Sequence, residues 1–165
     1  MSHSTDHHSD KYPGMTGPHA LDMEGWISCA PYEQLLGMEI ALANDGAAVL
    51  TMPFLKQYAQ GAGLMHGGAL ISLADTALVM AIKSILEPYT HFATIHMEAN
   101  YLKPVTQGVV TAHARLTWRQ ERLIYGEADV LREDGEQVLS FSARFKVARD
   151  TQIRQVNFAD DLAER

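Results

Sequence analysis

A chain of 165 residues, 47% hydrophobic and 20% charged, is long enough for one well-filled core and too short for two ordinary domains. Its formal net charge of -7, with no cluster of Lys and Arg, argues against a protein held to nucleic acid through phosphates. A single cysteine, Cys29, excludes an internal disulfide framework and fits a reducing compartment.

Residues 1–25 mix His, Ser, Asp, Gly and Pro without apolar periodicity and read as a loose arm. His3, His7 and His8 there suit a solvated tail better than a metal site, since no ordered scaffold fixes ligand geometry. This arm lacks the apolar stretch of a signal peptide. The most apolar run of the chain, Ala69 to Ile82, is too short and too polar to span a bilayer. A cytoplasmic protein without a membrane partner is the expectation.

The folded domain should occupy residues 26–148. Pro31 and Gly37 bracket a short helix, proline at its first turn and glycine just past its end. Two extended runs, Met38 to Ala43 and Ala47 to Leu55, flank Asn44-Asp45-Gly46, a hairpin signal. Pro53 places the second run at a sheet edge or marks its end. Lys56 to Met65 reads as a loop. Gly67 and Gly68 then open a long apolar helix that should stop near Glu87-Pro88, because proline disfavours helix in the residue before it. The helix is apolar on most sides and so buried. Its polar residues Ser72, Asp75, Thr76 and Lys83 fall close to one stripe, which must face a cleft, an interface or water.

From Phe92 onward the period changes to two. Ala93, Ile95, Met97, Ala99 and Tyr101 alternate with polar residues, as do Val110 to Trp118 and Leu139 to Val147, with a further strand at Ile124 to Arg132. Glu133-Asp134-Gly135-Glu136 closes the last hairpin. Residues 149–165 read as a charged tail with a turn of helix at Phe158 to Ala163. The layout is α+β, one long central helix wrapped by an antiparallel sheet of about five to six strands. One helix does not fill so concave a sheet, so a homo-oligomer is expected, a dimer at least.

Asp75 is the residue with most chemical promise. It is either a general base or nucleophile tuned by partial burial, or a structural acid held by the helix dipole or an interfacial salt bridge. About two turns into the helix, the dipole has mostly faded. Gly67 and Gly68 either permit a sharp turn or leave first-turn N–H groups free to grip a carbonyl oxygen. His66 either fixes that turn or orients substrate. Gln60 offers an amide just before Gly61, and Thr94 and His96 offer polar groups from the facing strand; each taken alone reads more readily as structural. His96 and Glu98 lack a third ligand, so no metal is expected. No G-x-S-x-G turn presents a serine nucleophile, and Cys29 has no activating histidine nearby.

His66-Gly67-Gly68, followed by Ser72-Leu73-Ala74-Asp75-Thr76-Ala77 and then Tyr101-Leu102-Lys103-Pro104, resembles the hot-dog-fold acyl-CoA thioesterases of the phenylacetic-acid-degradation type, over roughly residues 30–148. That resemblance implies a hot-dog fold, dimers joined edge to edge, usually homotetramers as dimers of dimers, and active sites at the subunit interface. It places the catalytic acid on Asp75, as base or nucleophile, and the carbonyl-polarising N–H on Gly67. The loop asparagine of the family falls on Gln60, which keeps the amide and lengthens it. An assisting hydroxyl from the partner's strand falls on Thr94. His66, Gly68, Leu64 and Met65 would contact substrate, and Phe54 and Val79 would add to an apolar pocket. The implied activity is hydrolysis of an acyl-CoA, coenzyme A being part of the substrate and no cofactor required, and the apolar residues Leu64, Met65, Phe54 and Val79 point to a medium-chain or aromatic acyl group. The alternatives are a non-catalytic acyl-CoA binder or sensor on the same fold and, behind it, a dehydratase or hydratase.

Overall fold

The hairpin, the long helix and the four following strands are all present in the computed structural model, which describes residues 19, 21–149, 152–153 and 156–157. Most of the N-terminal arm, with His3, His7 and His8, and the turn expected at Phe158 to Ala163 lie outside the described residues. The main unit is Met23–Asp150; the other joins Met1–Asp22 to Thr151–Arg165. In that second unit the tail carries a two-stranded ladder, Gln152–Ile153 with Val156–Asn157, which the sequence reading did not foresee.

Within the main unit, α1 (Pro31–Leu35) starts on proline and ends at Gly37, whose φ of +63° lets the chain reverse while Met38 N–H bonds Glu33 O. Strands β1 (Glu39–Asn44) and β2 (Ala47–Pro53) join through Asp45 and Gly46, both at positive φ, the turn that matches the twist of a two-residue hairpin. A 3-10 turn at Lys56–Tyr58 interrupts the following loop. The long helix, α2, runs Gly67–Lys83.

It stops before the Glu87-Pro88 boundary expected from the sequence. Ser84 Oγ donates to Ala81 O and accepts from Gly46 N–H, so a side chain competes for the helix backbone and ties its end to the β1–β2 turn. Strands β3 (Phe92–Tyr101), β4 (Val109–Gln120), β5 (Leu123–Arg132) and β6 (Gln137–Val147) complete an antiparallel sheet of six strands in the order β1-β2-β4-β5-β6-β3. Pro53 ends an inner strand opposite Val109, where a missing ladder donor costs least; β2 is no edge.

The helix lies across β2, β4 and β5, and the inward rows of those strands form the core with Leu73, Leu78 and Ile82. Alternation holds on β2, β4 and β5, where Leu50, Met52, Val110, Ala112, Ile124 and Val130 are fully buried. It fails on β3. Ile95, Met97 and Tyr101, expected to be inward, are 48%, 43% and 54% exposed. A register shift between Thr94 and His96 breaks the strand's alternation, and β3 is a sheet edge with a free side. Thr76 also departs from expectation: it is buried, so the polar stripe of α2 narrows to Ser72, Asp75 and Lys83.

Candidate active site

The loop before α2 is built on Gln60. Its backbone N–H donates to Leu64 O, its carbonyl accepts from Gly63 N–H, and its side-chain Oε1 accepts from Ala62 N–H. Ala59 bridges Met65, and His66 N–H bonds Tyr58 O, so the loop delivers the helix start at a fixed place. His66 then caps the helix: its Nδ1 accepts from Gly68 N–H at 2.9 Å. That contact gives the structural reading of His66 and removes Gly68 N–H from the donors open to a ligand.

Gly67 is different. As the first residue of the helix it has no intrahelical acceptor, and its N–H makes no hydrogen bond among the described residues. A Cβ at this position would sit 2.8 Å from the ring of Tyr101 on β3, so only glycine lets the ring approach the helix start. Gly67, Gln60, Leu64, Met65 and Tyr101 line a common cavity of about 380 Å³, which Lys103 and Pro104 also border.

Asp75 lies on the exposed stripe of α2, half-buried. Burial pushes its carboxyl above the ordinary range, and a hydrogen bond from Thr94 pulls the other way. Thr94 Oγ1 donates to Asp75 Oδ1 at 3.0 Å within the same chain, whereas the resemblance implied that this hydroxyl comes from a partner's strand. Thr94 lines a second cavity, of about 270 Å³, with Val79, Trp26 and Lys83. Ser72, one turn before Asp75, is bonded to Gly68 O and to the hydroxyl of Tyr32 on α1. The polar stripe of α2 already placed Lys83 on the face of Asp75, whereas nothing in the sequence signalled Tyr32, whose position depends on where α1 and α2 meet in space.

The candidates therefore fall into two groups, Gln60, Leu64, Met65 and Gly67 at one cavity and, at the other, Thr94, which lines it and holds Asp75 by a hydrogen bond. Gly67 and Asp75 are eight residues apart on one helix, about 12 Å along its axis and roughly 80° around it. A single carbonyl group cannot touch both. His96 lines neither cavity, and Phe54 packs against the core. Among the described residues no group of three or more His, Cys, Asp or Glu could hold a metal, and no helix is long and apolar enough to cross a membrane. Burial raises the Cys29 thiol, whose Sγ contacts Met38 O at 3.5 Å, the reverse of an activated nucleophile.

Comparison with known proteins gives a consistent picture. Residues 62–139 match the profile of the Thioesterase superfamily. A 1,4-dihydroxy-2-naphthoyl-CoA hydrolase of Listeria monocytogenes is 29% identical over 82 residues, 50% of this chain and 67% of that protein. Among solved structures, a conserved protein of Pseudomonas aeruginosa superposes with a TM-score of 0.71 at 28% identity, covering 74% of this chain and 97% of that one. The E. coli PaaI protein from the phenylacetic acid degradation operon gives 0.67 at 25% identity, with 72% and 85% covered. Coverage of a 35%-identical relative from Haemophilus influenzae is lower, at 57% of that protein's length.

Proposed function

We propose, on the premise that this chain carries a Thioesterase superfamily domain on the hot-dog fold, that it hydrolyses acyl-CoA thioesters. The observation that carries the reading is the Asp75–Thr94 pair: a half-buried carboxylate, oriented by a hydroxyl, beside a cavity on a helix whose first N–H is free. Asp75 takes a proton from water as the water oxygen attacks the thioester carbon. Gly67 N–H bears the negative charge that gathers on the carbonyl oxygen. The C–S bond then breaks, the proton passes to sulfur, and free acid and thiol leave. Thr94 holds the carboxylate in place, and Gln60 shapes the loop that presents Gly67, leaving its side-chain NH2 to face the thioester. The reaction needs no cofactor beyond the coenzyme A of the substrate itself.

The distance between Gly67 and Asp75 supports a site completed by two chains, one giving Gly67 and Gln60, the other Asp75 and Thr94. Strand β3 supplies the means. It is an unpaired edge with exposed Ile95, Met97 and Tyr101, and a second copy pairing there would cover them. Tyr101 already touches the Gly67 corner, so that interface would run past the site. Apolar side chains stand in both cavities, Leu64 and Met65 in one and Val79 and Phe92 in the other, among polar ones, which favours a medium-chain or aromatic acyl group.

A thiol-release assay over a panel of acyl-CoA esters tests the reading. Turnover that falls about 100-fold or more in Asp75→Asn is expected. Tight acyl-CoA binding with no turnover on any ester would make the chain a binder instead.

A further inference from the structure

The cavity beside Asp75 has a feature that hydrolysis does not use. Lys83, two turns beyond Asp75 on α2, lines it together with Thr94, the residue bonded to Asp75. A lysine in the last turn of a helix is favoured by the dipole, but an ammonium in open water would serve that as well. Here the side chain is half-buried against the Trp26 ring, with Nζ 5.0 Å from its centroid, while Trp26 Nε1 donates to Lys83 O at 3.0 Å. Among the described residues no carboxylate forms an ion pair with it. Burial lowers its pKa, and the charge of Glu33 on α1, outside the lining and with Oε2 buried and lacking a hydrogen-bond partner, raises it without an ion-pair contact. A cation kept partly out of water without a paired anion is costly unless an anion arrives.

We infer that Lys83 is the recognition point for an acyl group ending in a carboxylate, so that the preferred substrate is the monothioester of a dicarboxylic acid. The inference rests on the thioesterase reading for its orientation. With the thioester carbon at Asp75, the acyl chain passes Val79 and Thr94 and brings its far end to Lys83. Residues eight apart on a helix are about 12 Å apart along the axis, and a lysine side chain leans back toward the helix N-terminus, which shortens the span. A chain of about four to six carbons, or a benzene ring with a para carboxylate, bridges that gap. Trp26 and Phe92 flank its apolar middle.

The test compares length-matched pairs, glutaryl-CoA with pentanoyl-CoA and adipoyl-CoA with hexanoyl-CoA. It measures kcat/KM for turnover, and it measures affinity by calorimetry on Asp75→Asn, so that binding is read whether or not hydrolysis occurs. A charge-assisted contact predicts a preference of about 10- to 100-fold for the carboxylate-ended member in both readouts. Lys83→Met, which keeps the stem on Trp26, should abolish that preference, and Lys83→Arg should keep most of it. Preference in binding without turnover would uphold the Lys83 subsite and overturn the hydrolase reading. Turnover with equal or better use of the neutral esters, or a preference that survives Lys83→Met, would overturn the subsite and leave the hydrolase intact.

Discussion

Asp75 shows how one residue carries opposite demands. Its carboxyl is pushed up by burial and pulled down by the Thr94 hydroxyl, so burial favours the neutral form while the proposed chemistry needs the charged one. For stability, a raised carboxyl pKa means that the fold loses nothing at pH values below the ordinary range of an aspartate. It pays progressively as pH rises through the raised value. Asp75→Asn should therefore unfold at higher temperature than the parent at pH 7, by about 2 °C or more, with the gap closing toward pH 4. Scanning calorimetry at the two pH values checks this; an equal or lower Tm at pH 7 would mean that the charge is fully compensated. For activity, the proposed mechanism assigns the acid limb of kcat/KM to Asp75, because a base works only when ionised. Thr94→Val removes the bond that favours the ionised form, so that limb should move to higher pH. A mere loss of rate at unchanged pH dependence would give Thr94 a packing role only.

At the level of elements, glycine positions decide how closely helix and sheet approach. Gly126 on β5 lies under α2 with Leu78 Cδ2 directly over the place a Cβ would occupy and Arg115 O 3.1 Å from it. Gly126→Ala should cost about 1–3 kcal/mol by overpacking, measured by denaturant unfolding, and Leu78→Val in the same chain should recover part of it. The hairpin at Asp45-Gly46, the α2 start and the alternation of β2, β4 and β5 were readable because each is set by local residues. The end of α2 was not: Ser84 stops it by reaching Gly46, far away in sequence. Likewise the motif at residues 66–68 marked the helix start, but not that His66 Nδ1 accepts the Gly68 N–H as a cap and leaves only that of Gly67 open. The exposure of Ile95, Met97 and Tyr101 was hidden too, since alternation says which residues share a face and not what covers it.

For the whole molecule, the split between two cavities matters most. One corner offers the free N–H of Gly67, the other the Asp75 carboxylate held by Thr94, and a single chain holds these two groups of the proposed mechanism about 12 Å apart along the helix. An edge strand carrying three large exposed apolar residues is also an invitation to pair, and β3 has little of the charge that usually guards such edges. On the proposed two-chain site, Ile95→Lys together with Met97→Glu should give monomers by analytical ultracentrifugation where the parent gives dimers or larger, and should remove thioester hydrolysis with it.

Mixing two inactive variants puts the shared site to the sharpest test. Asp75→Asn keeps the Gly67 corner, and Gly67→Val keeps the carboxylate while filling the space beside Tyr101. Unfolded together and refolded, they should form mixed dimers in which one of two sites is intact, restoring about a quarter of parental thiol release in a random mixture. Activity no greater than that of either variant alone, in a preparation shown to contain mixed dimers, would contradict a site made by two chains.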